Sequence, residues 1–187
     1  AVGCTTFAGG VRGQTPVLSK KTHLKAITDL LGAAPEERAS DLGAVTSQVA
    51  SQLPKRGMCI LLSDLFADQH VLSKGLRRLR LKGHDLVVLH ILDDDELDFP
   101  FSRTTRFEGL ESNDQLACNP RALKKQYLAA MQRFLEDSRR TCLTNLAEYM
   151  LIRTSSPLDA VLNELLARRQ LRNGARDRKS PPTGAPA

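Results

Sequence analysis

Met58-Cys59-Ile60-Leu61-Leu62-Ser63-Asp64 and, further along, Asp85-Leu86-Val87-Val88-Leu89-His90-Ile91-Leu92 are the stretches that decide how this chain folds. Each holds a short continuous apolar run, the pattern of a strand buried on both faces of a parallel sheet. Between them, residues 69–81 carry Leu72, Leu76 and Leu79 at helical spacing. Lys74, Arg77, Arg78, Arg80 and Lys82 take the remaining surface, and Gly83 ends the helix. Strand, helix and strand in this order imply a right-handed crossover and parallel pairing. Both runs also end in polar groups, Ser63-Asp64 and Asp93-Asp94-Asp95-Glu96. In open α/β sheets that carboxyl edge is where ligands bind.

Working outward, Val2 to Phe7 reads as a strand, and Gly9-Gly10 turns it into a second extended piece, Val11 to Leu18, as a hairpin. Ser19 to Leu31 has the spacing of a helix burying Leu24, Ile27, Leu30 and Leu31, with Gly32 as its stop. Ser40 is placed to cap a helix running to about Leu53, with Leu42, Val45, Val49 and Leu53 as its stripe. Beyond the second buried strand the alternation breaks. Residues 104–107 and 115–117 are expected to form a small hairpin, followed by a long helix from Pro120 to about Thr141. Its apolar face is Leu123, Tyr127, Met131, Phe134 and Leu135. Glu148 to Ile152 reads as a third parallel strand. The last helix is expected to start with Ser156 at N-cap and Pro157 at N1, and to bury Leu158, Val161, Leu162, Leu165 and Leu166. Residues 1–168 therefore form one α/β domain. The Arg-rich, then Pro- and Gly-rich segment 169–187 is expected to be a disordered basic tail.

The net charge of +6 loses its meaning as a nucleic-acid signal once it is placed along the chain. Six of the 27 basic residues but one of the 21 acids lie from Arg168 onward, which leaves the body at +1. With 4% aromatics and no Trp, base stacking has few platforms. Cys4, Cys59, Cys118 and Cys142 show no CxxC or Cys/His ligand spacing, which suits a reducing cytoplasm. No apolar run is long enough to span a bilayer, and no signal peptide is visible. No phosphate-binding glycine loop or nucleophile elbow appears, so the reading is a binding module and not an enzyme.

Val2-Gly3-x-x-Thr6-Phe7, Ser19-x-x-x-His23-Leu24, Ser40-Asp41-Leu42 and Leu61-Leu62-Ser63-Asp64, in this order and spacing, resemble the domain of unknown function 58 family. The resemblance continues through Lys82-Gly83-His84-Asp85-Leu86-Val87-Val88-Leu89-His90-Ile91-Leu92-Asp93 and Asp95-Glu96. It takes in Phe107-Glu108-Gly109-Leu110-Glu111, Tyr127 and Pro157-Leu158 as well. It implies a von Willebrand factor type A-like (Rossmann-like) fold, a mostly parallel sheet flanked by helices. It further implies a bacterial protein working with a MoxR-type AAA+ ATPase as its protein partner. The wider fold carries a metal-ion-dependent adhesion site, in which a DxSxS motif, a Thr and a later Asp hold magnesium. Ser40 matches the Thr position and Asp64 the later Asp, so these are the candidate metal ligands. DxSxS itself is absent, and two groups are a poor site for an ion reluctant to shed water.

That absence carries a structural expectation. The chain reads as an N-terminally truncated fragment lacking the first strand of the fold, which would lie between Val2–Phe7 and Met58–Leu62. Two apolar edges would then stand unpaired, an aggregation hazard. Two alternatives remain. Asp64 with Asp93 to Glu96 suits a metal-dependent hydrolase or phosphotransferase, although such an acidic run more often forms a solvated loop. The basic tail and the 74–82 helix face suit nucleic-acid contact. Of the histidines, His84 is expected to complement a helix end and His90 to be hydrogen-bonded core.

Overall fold

The computed structural model describes residues 1–34, 42–54, 56–103, 105–108 and 115–177. Strands β1 (Val2–Phe7) and β2 (Val11–Leu18) form an antiparallel hairpin, followed by α1 (His23–Leu31). Next come α2 (Leu42–Gln52), β3 (Gly57–Ser63), α3 (Gln69–Leu81), β4 (His84–Leu92) and the short α4 (Asp94–Asp98). A second antiparallel hairpin, β5 (Thr105–Glu108) with β6 (Gln115–Cys118), precedes α5 (Pro120–Thr144), β7 (Glu148–Arg153) and α6 (Leu158–Asp177).

The expected parallel sheet is present. β3 pairs with β4 and β4 with β7, both parallel, in the order β3-β4-β7. Helices pack on both faces, giving an α/β architecture compatible with a Rossmann-like fold. One face buries Leu86 and Val88 of β4 against Leu72, Leu76 and Leu79 of α3, Leu42 and Ala50 of α2, and Cys142 of α5. On the other face Val87, Leu89 and Met150 pack beneath Val161 and Leu165 of α6.

Several expectations are corrected. The run 58–62 is not buried on both faces: Met58, Ile60 and Leu62 are 54%, 39% and 55% exposed. Ile60 and Leu62 pair with Val87 and Leu89, so they lie on the α6 side of the sheet. There α6 reaches only β4 and β7. For the same reason Leu158, Leu162 and Leu166 remain exposed, and only Val161 and Leu165 of the expected stripe pack inward. In α1, which begins at His23 and not Ser19, Leu24 and Leu31 are exposed. Pro157, not Ser156, stands at the cap of α6, because its carbonyl already accepts the Val161 N–H. α6 also continues through Asp177, well into the segment expected to be disordered. Arg169 explains part of that extension: it reaches Asp85 of β4 at 2.8 Å and anchors the helix beyond its apolar contacts. Residues 178–187 lie outside the described residues.

β3 pairs only with β4, and β1 only with β2, among the described residues. Each therefore presents one open edge, as the sequence led us to expect. Phe7 at the end of β1 packs against the same core as Cys59 and Leu61 of β3.

Candidate docking site at the strand ends

β3 delivers Ser63 and Asp64 to the carboxyl edge of the sheet, where a tight local hydrogen-bond pattern holds them. The Leu65 N–H donates to Ser63 Oγ (3.1 Å), and the Ser63 hydroxyl donates to Asp64 Oδ1 (3.3 Å). Phe66 N–H donates to the same carboxylate oxygen at 3.3 Å. Leu65 adopts a left-handed conformation (φ 57°) and is fully buried, which pins the loop to the core while Asp64 stays exposed.

Beneath this loop lies a buried polar link. His90 Nε2–H donates to the Asp64 carbonyl (2.7 Å), and Nδ1 accepts from the Tyr149 hydroxyl (2.8 Å). A carbonyl only accepts, which fixes the Nε2–H tautomer and makes Tyr149 the donor. Burial pushes the His90 pKa down, an effect only partly opposed by the hydrogen bond to Asp64 and its charge. The imidazole is therefore held neutral. Burial also pushes Tyr149 up to about 12, keeping its proton in place. Phe134 meets His90 edge-on at 5.4 Å, and Phe66 stacks on Phe134 at 4.9 Å. Phe66 is 53% exposed. The result is an exposed carboxylate and an exposed aromatic ring, side by side on a rigid base. The expectation that His90 is hydrogen-bonded core holds.

At the end of β4 the acidic run is not a solvated loop but a helix start. Asp93 is the N-cap of α4, accepting from Asp95 N–H at 2.9 Å, while Glu96 accepts from Asp93 N–H at 2.8 Å. Thr154 donates to Asp93 at 2.7 Å, and this hydrogen bond is the main reason the Asp93 pKa falls. Arg153 bridges Asp94 (2.7 Å) and Asp98 (2.8 Å). Its hydrogen bond is the main cause of the lowered pKa of Asp98; for Asp94 the Ser155 hydroxyl contributes most and Arg153 next. These acids fasten the chain to β7 as it leaves the sheet. His84 is likewise not at a helix end: it opens β4 and is buried, with neither ring nitrogen partnered among the described residues.

Asp64 and Ser63 do not make a magnesium site on their own. They bring one carboxylate and one hydroxyl, and no group of three or more His, Cys, Asp or Glu suited to a metal occurs among the described residues. Magnesium requires near-ideal octahedral oxygen coordination. Ser40, the other candidate ligand, lies outside the described residues. Phe66, Phe134 and Tyr149 were not singled out from sequence as parts of this face. His90 within an apolar run was the one signal pointing to a buried partner such as Tyr149.

A family model described as "Protein of unknown function DUF58" matches residues 2–136. No curated protein and no solved structure matches the chain.

Proposed function

Because the chain belongs to the DUF58 family, whose function is unknown, we propose that it is a non-enzymatic protein-interaction module docking through the strand-end face around Asp64. The observation that carries this reading is the exposed Asp64–Phe66 pair, immobilised over His90, Tyr149 and Phe134. A fixed carboxylate beside an exposed aromatic ring combines steering with an anchor, and aromatic residues are enriched among interface hot spots. Polar groups at the carboxyl edge of a parallel sheet are also where α/β folds place their binding residues.

The finer fold is of the von Willebrand factor type A kind, with a further strand belonging between β1 and β3. The edges of those two strands that are unpaired among the described residues, and their shared core, support it. The partner is a MoxR-type AAA+ ATPase. Magnesium, with Ser40 and Asp64 among its ligands, takes part only where further oxygen ligands complete the shell. Recovery of such an ATPase on the immobilised protein tests the docking face, with Asp64→Ala and Phe66→Ala as controls. A loss of about tenfold or more in both variants supports it. Equal recovery by all three proteins overturns it. Equal recovery with and without chelator removes the metal from the mechanism.

A further inference from the structure

A second site lies where α4, β5 and α5 meet, away from the Asp64 loop. There a cavity of about 530 Å³ is lined by Phe99, Phe101, Phe107, Leu123 and Tyr127, with Asp95 also in its lining. Ligand sites commonly fall between roughly 300 and 1,000 Å³ and are lined by apolar and aromatic groups. The chain has only eight aromatic residues, six Phe and two Tyr. Four of them gather here and belong to neither packed cluster of the sheet. Sheet burial therefore does not account for them.

The walls are also held in place. Phe99 takes a left-handed backbone conformation (φ 44°) at the end of α4 and lies 4.4 Å from the Tyr127 ring and 5.9 Å from Phe107. Phe101 stands nearly perpendicular to both Phe99 and Phe107. Tyr127 Oη–H donates to the Glu96 carbonyl at 2.9 Å and Lys124 Nζ to the Phe99 carbonyl at 2.8 Å, so these two polar groups of α5 are already engaged, while Gln126 of the same helix also lines the cavity.

Charge decides what the mouth attracts. Asp94 and Asp98 are paired with Arg153, Asp93 is bound by Thr154, and Glu96 closes the capping box. The Asp95 carboxylate alone among these acids makes no hydrogen bond or ion pair with the described residues, and it is both exposed and part of the cavity's lining. We infer that this cavity takes one bulky apolar side chain from a partner's peptide segment, with a neighbouring lysine or arginine set against Asp95. The site uses neither Asp64 nor a metal, so it goes beyond the docking face proposed above and stands or falls independently of it.

Titration of the whole chain with acetyl-Gly-Arg-Phe-Gly-amide, followed by amide chemical shifts, tests the inference. Saturable shifts centred on Phe99, Phe101, Phe107 and Tyr127 are expected, unchanged in Asp64→Ala. Replacing the peptide's Phe by Ala should weaken binding by about tenfold or more, the loss expected for one buried aromatic side chain. Replacing its Arg by Glu should weaken it about two- to fivefold, as for an exposed charge pair, and Asp95→Asn should abolish that preference. Filling the cavity with Leu123→Trp should remove binding. Absence of saturable shifts, equal binding of the Phe and Ala peptides, or an Arg preference that survives Asp95→Asn each overturns it. So does toluene competing as strongly as the peptide, which would mark a site for small apolar molecules only.

Discussion

His90 has both ring nitrogens engaged within the core, by the Asp64 carbonyl and the Tyr149 hydroxyl, which ties its protonation state to the fold. Tyr149→Phe would leave Nδ1 as a buried acceptor without a donor. We expect a loss of about 1–3 kcal/mol, read from the urea midpoint at constant slope. The same histidine sets a pH dependence. Its pKa lies below the ordinary 6.5, so just below that value the unfolded chain binds a proton that the folded chain refuses. Stability is then fully present above about 6.5 and falls as the pH drops toward the lowered value. Urea midpoints measured from neutral pH downward should show this decline, and His90→Gln should flatten it. Asp93, Asp94 and Asp98 also have lowered pKa values, but their contribution is lost only below the ordinary carboxylate value of 3.8. The two declines should be separable.

Among the elements, α2 and α3 meet closely at Gly75. A methyl group added at Gly75 would come within 2.3 Å of Thr46 Oγ1 and 2.8 Å of its Cβ. Thr46 is buried and donates to the Leu42 carbonyl, so it has little room to move. Gly75→Ala should therefore destabilise the protein by about 1–3 kcal/mol, despite the better helix propensity of alanine. Adding Thr46→Ala should recover part of the loss in thermal melts. Full stability of the single variant would mean that α2 and α3 separate more freely than their packing implies. A sequence reading finds Gly75 only as a weak point in a helix; that it is a contact point depends on which helix lies opposite.

For the molecule as a whole, the edge of β3 left unpaired among the described residues, with its exposed Met58, Ile60 and Leu62, is a liability. The chain 1–187 should associate with rising concentration and melt with low cooperativity. Ile60→Lys should reduce the association, as seen by light scattering. Sharp, concentration-independent melting of the unmodified chain would contradict this. Magnesium should leave the melting midpoint unchanged, because an ion stabilises only as far as it binds the folded state. A saturable rise in the midpoint would show that Asp64 and Ser63 have further ligands within reach.

Much of this architecture was legible in the residues. The runs at 58–62 and 86–91, the Leu72-Leu76-Leu79 stripe and the segment 148–152 specified three parallel strands and the crossing helix, because periodicity and run length mark the type of element, although the run at 58–62 is buried on one face only. Asp64 was likewise placed at a strand end by its position after an apolar run. Sequence alone could not decide which side of each element has a neighbour. Only the tertiary structure showed that α6 covers β4 and β7 but leaves that face of β3 bare, that Asp93 to Glu96 start a helix held by Arg153, and that Tyr149 and His90 meet beneath Asp64 while Phe66 stacks on Phe134 beside it. Hydrophobic pattern is a property of one segment. Coverage, pairing and convergence depend on where distant segments come to rest, and nothing within a single segment records that.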